Sequence, residues 1–172
     1  MATSRWVRDS LKNRNFLAPN GFKLTLELFP KVSFFCQSAN IPGINIESIT
    51  IPTPYRDYPV PGTETNFEDL AIKFLIDEDL QNYTSLHEWI RRTGLATGPD
   101  STEEPQVSRG LLEILDSNFN PNFYLDFQGL WPVSLTTLDF DATVSDTEYL
   151  SAQAVFRYAI YNIKDKNGVV IS

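Results

Sequence analysis

Leu70-Ala71-Ile72-Lys73-Phe74-Leu75-Ile76-Asp77-Glu78-Asp79-Leu80-Gln81-Asn82-Tyr83-Thr84-Ser85-Leu86-His87-Glu88-Trp89-Ile90-Arg91-Arg92-Thr93-Gly94 decides the fold class of this 172-residue chain, because its apolar period changes part-way. Leu70, Ile72, Phe74 and Ile76 recur every second residue, the signature of a strand with one buried face. From Leu80 the spacing becomes helical, with Tyr83, Leu86, His87 and Ile90 on one stripe. Asp77, Glu78 and Asp79 stand where a helix N-terminus favours carboxylates, Arg91 and Arg92 where its C-terminus favours cations, and Gly94 where it stops. One strand followed by one well-signalled helix is therefore the centre from which the rest is read.

Toward the N-terminus the two-residue period dominates. Phe22, Leu24, Leu26 and Leu28 alternate with Lys23, Thr25 and Glu27, and Val32, Phe34 and Cys36 alternate after Pro30-Lys31, so the two runs read as a hairpin. The isoleucines that follow change phase, from Ile44 and Ile46 to Ile49 and Ile51, which predicts a bulge or bend between them. Pro52, Pro54, Pro59 and Pro61 then exclude a central strand and suit an edge or an extended loop. Residues 5–16 carry a weak helical pattern in a basic arm of about residues 1–16.

Toward the C-terminus, residues 93–109 form a polar connection. Leu111 to Leu115 and Phe123 to Phe127 read as strands around the turn Asn118-Phe119-Asn120-Pro121-Asn122, and Gly129-Leu130-Trp131-Pro132 as a corner. Leu138, Phe140, Ala142 and Val144 alternate with Asp139, Asp141 and Thr143, and a long strand runs from Ala152 to about Ile163 before a tail of about residues 164–172. That last strand is apolar on both faces, with Ala154, Phe156, Tyr158 and Ile160 on one and Val155, Ala159, Tyr161 and Ile163 on the other. About eight strands and one main helix give a mainly β, mainly antiparallel single domain spanning residues 1–172.

Composition narrows the function. A chain of this length can bury roughly 70% of its unfolded surface, and 42% apolar residues with 13% aromatics supply a core. No apolar run reaches the length of a spanning helix, and the charged N-terminus lacks the apolar stretch of a signal peptide. One cysteine excludes an internal disulfide, and one histidine leaves no zinc cluster. His87 reads as a histidine at a core edge and Cys36 as a small buried hydrophobe in phase with Phe34. The trio Asp77, Glu78 and Asp79 lacks the glycine and distal glutamate of a calcium loop, and no phosphate loop or dinucleotide fingerprint is present. No catalytic residue, cofactor or metal is assigned, and an enzyme has little support. The net charge of −8 is unevenly placed: residues 1–63 carry +3, residues 64–148 carry −13 and residues 149–172 carry +2. An acidic middle argues against a module that grips a duplex.

The order of these features resembles the tail tube proteins of contractile-tailed bacteriophages. The resembling segments are Phe16-Leu17-Ala18-Pro19-Asn20-Gly21-Phe22, Phe34 to Gly43, Ile72 to Asp79 with Trp89, and Gly129-Leu130-Trp131-Pro132, spread over about residues 16–163. The resemblance implies an antiparallel β-sandwich or barrel-like subunit with one flanking helix. Six copies would close into a ring, and rings would stack into the tube of the virion tail that carries genomic DNA. It implies as partners further copies of the chain, the tail sheath, the baseplate hub and the tape-measure protein, with synthesis in the host cytoplasm and no membrane insertion. The main tube is the favoured position and a baseplate initiator ring of the same fold the alternative. A lipocalin-like binding module, with aromatics lining a pocket, is the rival from a different class.

Three sets of residues follow as candidates. Ile44, Ile46, Pro54, Tyr55, Arg56, Tyr58, Pro59 and Pro61 are expected in an inter-ring contact loop, since proline stiffening lowers the cost of ordering an extended contact. Trp131 and Pro132 are expected at an inter-subunit corner, with a tryptophan buried inside one subunit as the other reading. Asp139 and Asp141 are expected on one strand face, turned to the lumen, where like charge keeps DNA from adhering.

Overall fold

The computed structural model describes residues 17, 19–28, 36–94, 107–140 and 149–171. In these residues the chain forms β1 (Phe22–Leu26), β2 (Cys36–Ala39), β3 (Ile44–Ile51), β4 (Tyr58–Phe67), β5 (Leu70–Leu75), α1 (Gln81–Gly94), β6 (Ser108–Leu115), β7 (Pro121–Leu135), β8 (Ser151–Arg157) and β9 (Ile160–Asp165). Every strand pair is antiparallel. The main sheet has the order β1-β6-β7-β8-β5-β2, with β9 also on β7, while β3 and β4 form a separate two-stranded sheet. Among the described residues the fold is therefore mainly β with one helix.

β7 joins the two halves of the main sheet. Its first part, from Phe123 to Gln128, lies between β6 and β9, whereas Trp131 to Leu135 pairs with β8. The change of partner falls at Gly129, whose φ of +65° is one that a side chain resists. Gly129-Leu130-Trp131-Pro132 is thus a corner, as its composition suggests, but a corner inside one continuous strand. Pro132 is tolerated there because the pairing with β8 shifts register between Pro132 and Ser134, so its missing N–H falls at an irregularity in the ladder.

One core unites the halves. Leu24, Leu26, Leu112, Leu125, Phe127 and Leu130 bury against Leu70, Ile72, Phe74, Ala152, Ala154 and Phe156, and α1 adds Leu86 and Trp89. The Trp89 ring lies 6.2 Å from that of Phe156, and the Tyr83 hydroxyl donates to the Thr136 carbonyl at 3.1 Å, which seats the helix on β7 and β8. The period-two readings of β1 and β5 hold here, with alternate residues buried in each.

Five expectations are corrected. Among the described residues β1 pairs with β6 and β2 with β5, not with each other as the early hairpin requires, and residues 29–35 of that reading lie outside them; strand pairing is chosen by distant partners as well as by the nearest turn. The buried face of α1 is Asn82, Leu86 and Trp89, with His87 exposed. Asn82 can be buried because its amide donates to the Leu75 carbonyl at 2.7 Å and its Oδ1 accepts from Asp77 N at 3.5 Å. The acids precede the helix, and Asp77 Oδ1 accepts from Asn82 N at 3.5 Å as a cap. Residues 136–140 form no strand, and Phe140 is exposed, while Ala142 and Val144 of that run lie outside the described residues. The long final strand is two strands, β8 and β9, broken at Tyr158 and Ala159 opposite Gly129. Its two apolar faces are therefore successive halves of one face: burial falls on residues 152, 154 and 156 before the break and on residue 161 after it.

Candidate assembly surface

The Pro-rich segment divides between an edge strand outside the main sheet, with Pro59 and Pro61, and a turn, with Pro52 and Pro54. β3 and β4 pair over Ile44–Phe67, Ile49–Val60 and Ile51–Tyr58, and the register shifts between Ile46 and Ser48, where the isoleucine phase predicted a bulge. Gly62 fits that bulge, since a Cβ there would stand 2.6 Å from the Glu47 carbonyl oxygen. β4 thus runs through Pro59 and Pro61, and it has a partner on one side only, which is where a strand accommodates proline. At the tip, Arg56 N donates to Thr53 Oγ1 at 3.3 Å, and the same hydroxyl donates to the Arg56 carbonyl, closing a turn that includes Pro54.

Every residue of β3 is exposed, and so are Pro54, Tyr55, Arg56, Tyr58, Pro59 and Pro61. Tyr55 at the tip is 98% exposed and Ile46 is 61% exposed, values that buried apolar strands never show. The hairpin is an arm. With eight residues in β3 and about 3.3 Å per residue, it reaches about 26 Å. A lone two-stranded hairpin is marginal in water.

Its root is held firmly. Glu68 N donates to the Gly43 carbonyl at 3.0 Å, Gly43 N donates to Glu68 Oε2 at 3.3 Å, and the Asn45 amide donates to Glu68 Oε1 at 3.3 Å. The Tyr158 hydroxyl donates to the Glu68 carbonyl at 2.8 Å and the Tyr161 hydroxyl to the Pro42 carbonyl at 3.1 Å. Asn40 bridges to the Asp69 carbonyl and to Ala71 N at 3.1 and 2.7 Å, and Arg157 Nε sits 3.1 Å from Asp69 Oδ1. Reading the sequence by periodicity passes over these root residues. The one sign of them is the phase change after Phe156, which resembles a strand apolar on both faces.

The other candidates fall elsewhere. Pro132 is buried, and Trp131 is half-buried and packs against the core of its own subunit. Asp139 is exposed in the irregular stretch after β7, and Asp141 lies outside the described residues. Burial pushes the Cys36 thiol up to about 11, partly opposed by a backbone hydrogen bond from Ser38, which suits the packing role expected of it. Among the described residues no group of three or more His, Cys, Asp or Glu is placed to hold a metal, and no helix is long and apolar enough to cross a membrane.

The model of the phage tail tube protein family matches residues 10–164. The chain belongs to that family. This tail tube family protein is 26% identical over 145 residues to the tail tube terminator protein of Enterobacteria phage T4, covering 79% of this chain and 80% of the relative. Its fold matches a chain of the tube-terminating cap of the anti-feeding prophage with a TM-score of 0.65 at 15% identity, over 94% of this chain and 99% of the other. A chain of the sheath-tube complex of the extracellular contractile injection system PVC matches with a TM-score of 0.63 at 13% identity, over 95% and 99%. The likeness to these two chains is one of fold.

Proposed function

We infer that this tail tube family protein forms a hexameric ring that closes the end of the inner tube, and that its β3–β4 arm makes the contact with the adjoining ring. The observation that carries the reading is the arm itself. It is a firmly rooted hairpin whose isoleucines and tyrosines stand exposed, with no strand of the main sheet paired to it among the described residues. Such a surface is retained only if assembly covers it. The terminal position draws support from the T4 terminator, which is similar across four-fifths of both chains. A repeating subunit of the main tube, the position favoured by the order of the sequence motifs, is the second reading.

The same reading has DNA pass through the ring without adhering. A net charge of −8 suits that role, with Asp139 exposed and available to face the channel. The sheath would meet the outside of the ring. Because α1 presents Glu88, Arg91 and Arg92 to solvent, such a contact on the helix would be polar.

Negative-stain images and light scattering of the purified chain test the ring; a stable monomer at micromolar concentration defeats it. Deletion of residues 53–60 tests the arm, with rings expected to persist and stacking to be lost. Unaltered stacking would remove the arm from the contact. Gold-labelled protein added to growing tubes separates the two positions: label confined to tube ends supports the terminator, and label along the length supports the main tube.

A further inference from the structure

We propose that Tyr158 and Tyr161 are positioning residues that aim the β3–β4 arm, and that the kink at Gly129 and Ala159 exists to bring the two side chains to one place. The proposal deepens the reading of the arm as the contact between rings and rests on it.

In a regular strand, residues three apart point to opposite faces. Tyr158 and Tyr161 nevertheless lie with ring centroids 5.7 Å apart at 78°. Both also meet Phe127, at 5.0 and 5.6 Å, and Phe67 at the end of β4, at 6.0 and 5.8 Å. The break between β8 and β9 makes this possible. Ala159 N donates to the Gln128 carbonyl at 3.0 Å, beside Gly129 in its left-handed conformation, and the chain changes face across that bond. A Cβ on Gly129 would come to 3.2 Å from that of Ala159, so the approach is as close as the glycine permits.

The two hydroxyls then reach the two legs of the arm. Tyr161 holds the carbonyl of Pro42, just before β3, and Tyr158 holds that of Glu68, just after β4. Phe67 stands between them in the same aromatic cluster. Each leg therefore enters the body through one tyrosine hydrogen bond, and Glu68 ties the legs to each other. Burial pushes the Tyr158 phenol above its usual range, so it stays a donor at any working pH.

Leverage makes the grip matter. For an arm of about 26 Å, a swing of about 10° at the root carries the tip through about 4–5 Å, roughly the spacing of two paired strands. A contact between rings then depends on residues that never touch the neighbouring copy.

The test measures the aim directly, in the isolated subunit and apart from assembly. Spin labels at Tyr55→Cys on the tip and Arg91→Cys on α1, in a Cys36→Ala background, report the tip-to-body distance by double electron–electron resonance. The parent and a Tyr83→Phe control, which loses a hydroxyl bonded to the Thr136 carbonyl, should give one narrow distribution. Tyr158→Phe with Tyr161→Phe should at least double its width, while circular dichroism keeps the fold. An unchanged width overturns the proposal. Should the double variant not fold, Tyr158→Phe alone is read by the same criterion, with a smaller broadening expected and none overturning the proposal. Stacking of the double variant is scored separately: a widened distribution with normal stacking keeps the clamp and removes the arm from the contact between rings.

Discussion

Replacing Gly129 by alanine should destabilise the subunit by about 2 kcal/mol, and the figure divides into two parts. The backbone there has φ +65°, a conformation that costs an L-residue about 1–2 kcal/mol. The added methyl also meets the Ala159 Cβ at 3.2 Å, tighter than ordinary contact, and relieving it adds up to about 1 kcal/mol if the kink shifts. A domain of this size loses about 2–4 °C of melting temperature per kcal/mol, so the variant should melt about 4–8 °C below the parent. Gly94→Ala is the control. It ends α1 with nothing within 4 Å of its added Cβ and no positive φ, so it should stay within about 0.5 kcal/mol of the parent. Thermal unfolding followed by far-UV circular dichroism, with urea titration as a check, measures both. A Gly129→Ala protein that melts within about 1 °C of the parent would refute the argument that the corner of β7 depends on that glycine.

Phe156→Ala removes a fully buried ring packed on Trp89 and should lower stability by about 3–5 kcal/mol in urea titrations, whereas a loss under about 1 kcal/mol would mean that α1 is not packed on β8 as described. The Asp116 carboxyl is held below the usual carboxylate range by the backbone N–H groups of Asn120 and Asn118, and Asp165 by those of Val169 and Asn167. A pKa lowered in the folded state stabilises above the unfolded value of about 3.9 and is lost as pH falls through the folded one, so melting temperature should drop below about pH 4. The Asp116→Asn, Asp165→Asn double variant should show a shallower drop, and an identical profile would count against those bonds. With its thiol near 11, Cys36 is about 0.1% thiolate at pH 8, so alkylation should run more than about a hundredfold slower than for a free thiol and recover in denaturant. Labelling of the folded protein at the free-thiol rate would contradict the burial of that side chain.

The parts of the fold legible in the sequence are those decided by near neighbours. Alternation in Leu24 and Leu26, or in Leu70, Ile72 and Phe74, follows from one face meeting a core, and the strands carry it wherever they pair. The bulge beside Glu47 was legible too, because a change of phase in a run of isoleucines has few other causes. Partner choice was not: nothing local tells β1 to seek Leu111 and Leu112 in place of the strand after its own turn. Burial of Asn82 at the centre of the helix face runs against the apolar stripe and follows only once Leu75 and Asp77 are in place to satisfy its amide. At the candidate surface, the prolines and isoleucines marked the arm, but its root lay in residues 42, 68, 158 and 161, which meet only in three dimensions.

The prolines of β4 are the least obvious part of the arm and explain how it can be both exposed and safe. Pro59 faces Thr50 and Pro61 faces Ser48 across the ladder. A proline keeps a two-stranded ladder intact only when the side lacking an N–H faces outward, so the outer edge of β4 has two positions without a donor. Another chain cannot build a continuous ladder along it. The outer edge of β3, Ile44–Ile51, contains no proline and keeps its full set of donors. The arm therefore has one edge guarded against indiscriminate pairing and one left competent. Aggregation through strand addition is limited to a single edge and orientation, which is what a subunit needs if it must carry an uncovered hairpin until its neighbours arrive. The same stiffness at Pro52, Pro54, Pro59 and Pro61 would lower the entropy lost on ordering the arm in the contact proposed for it.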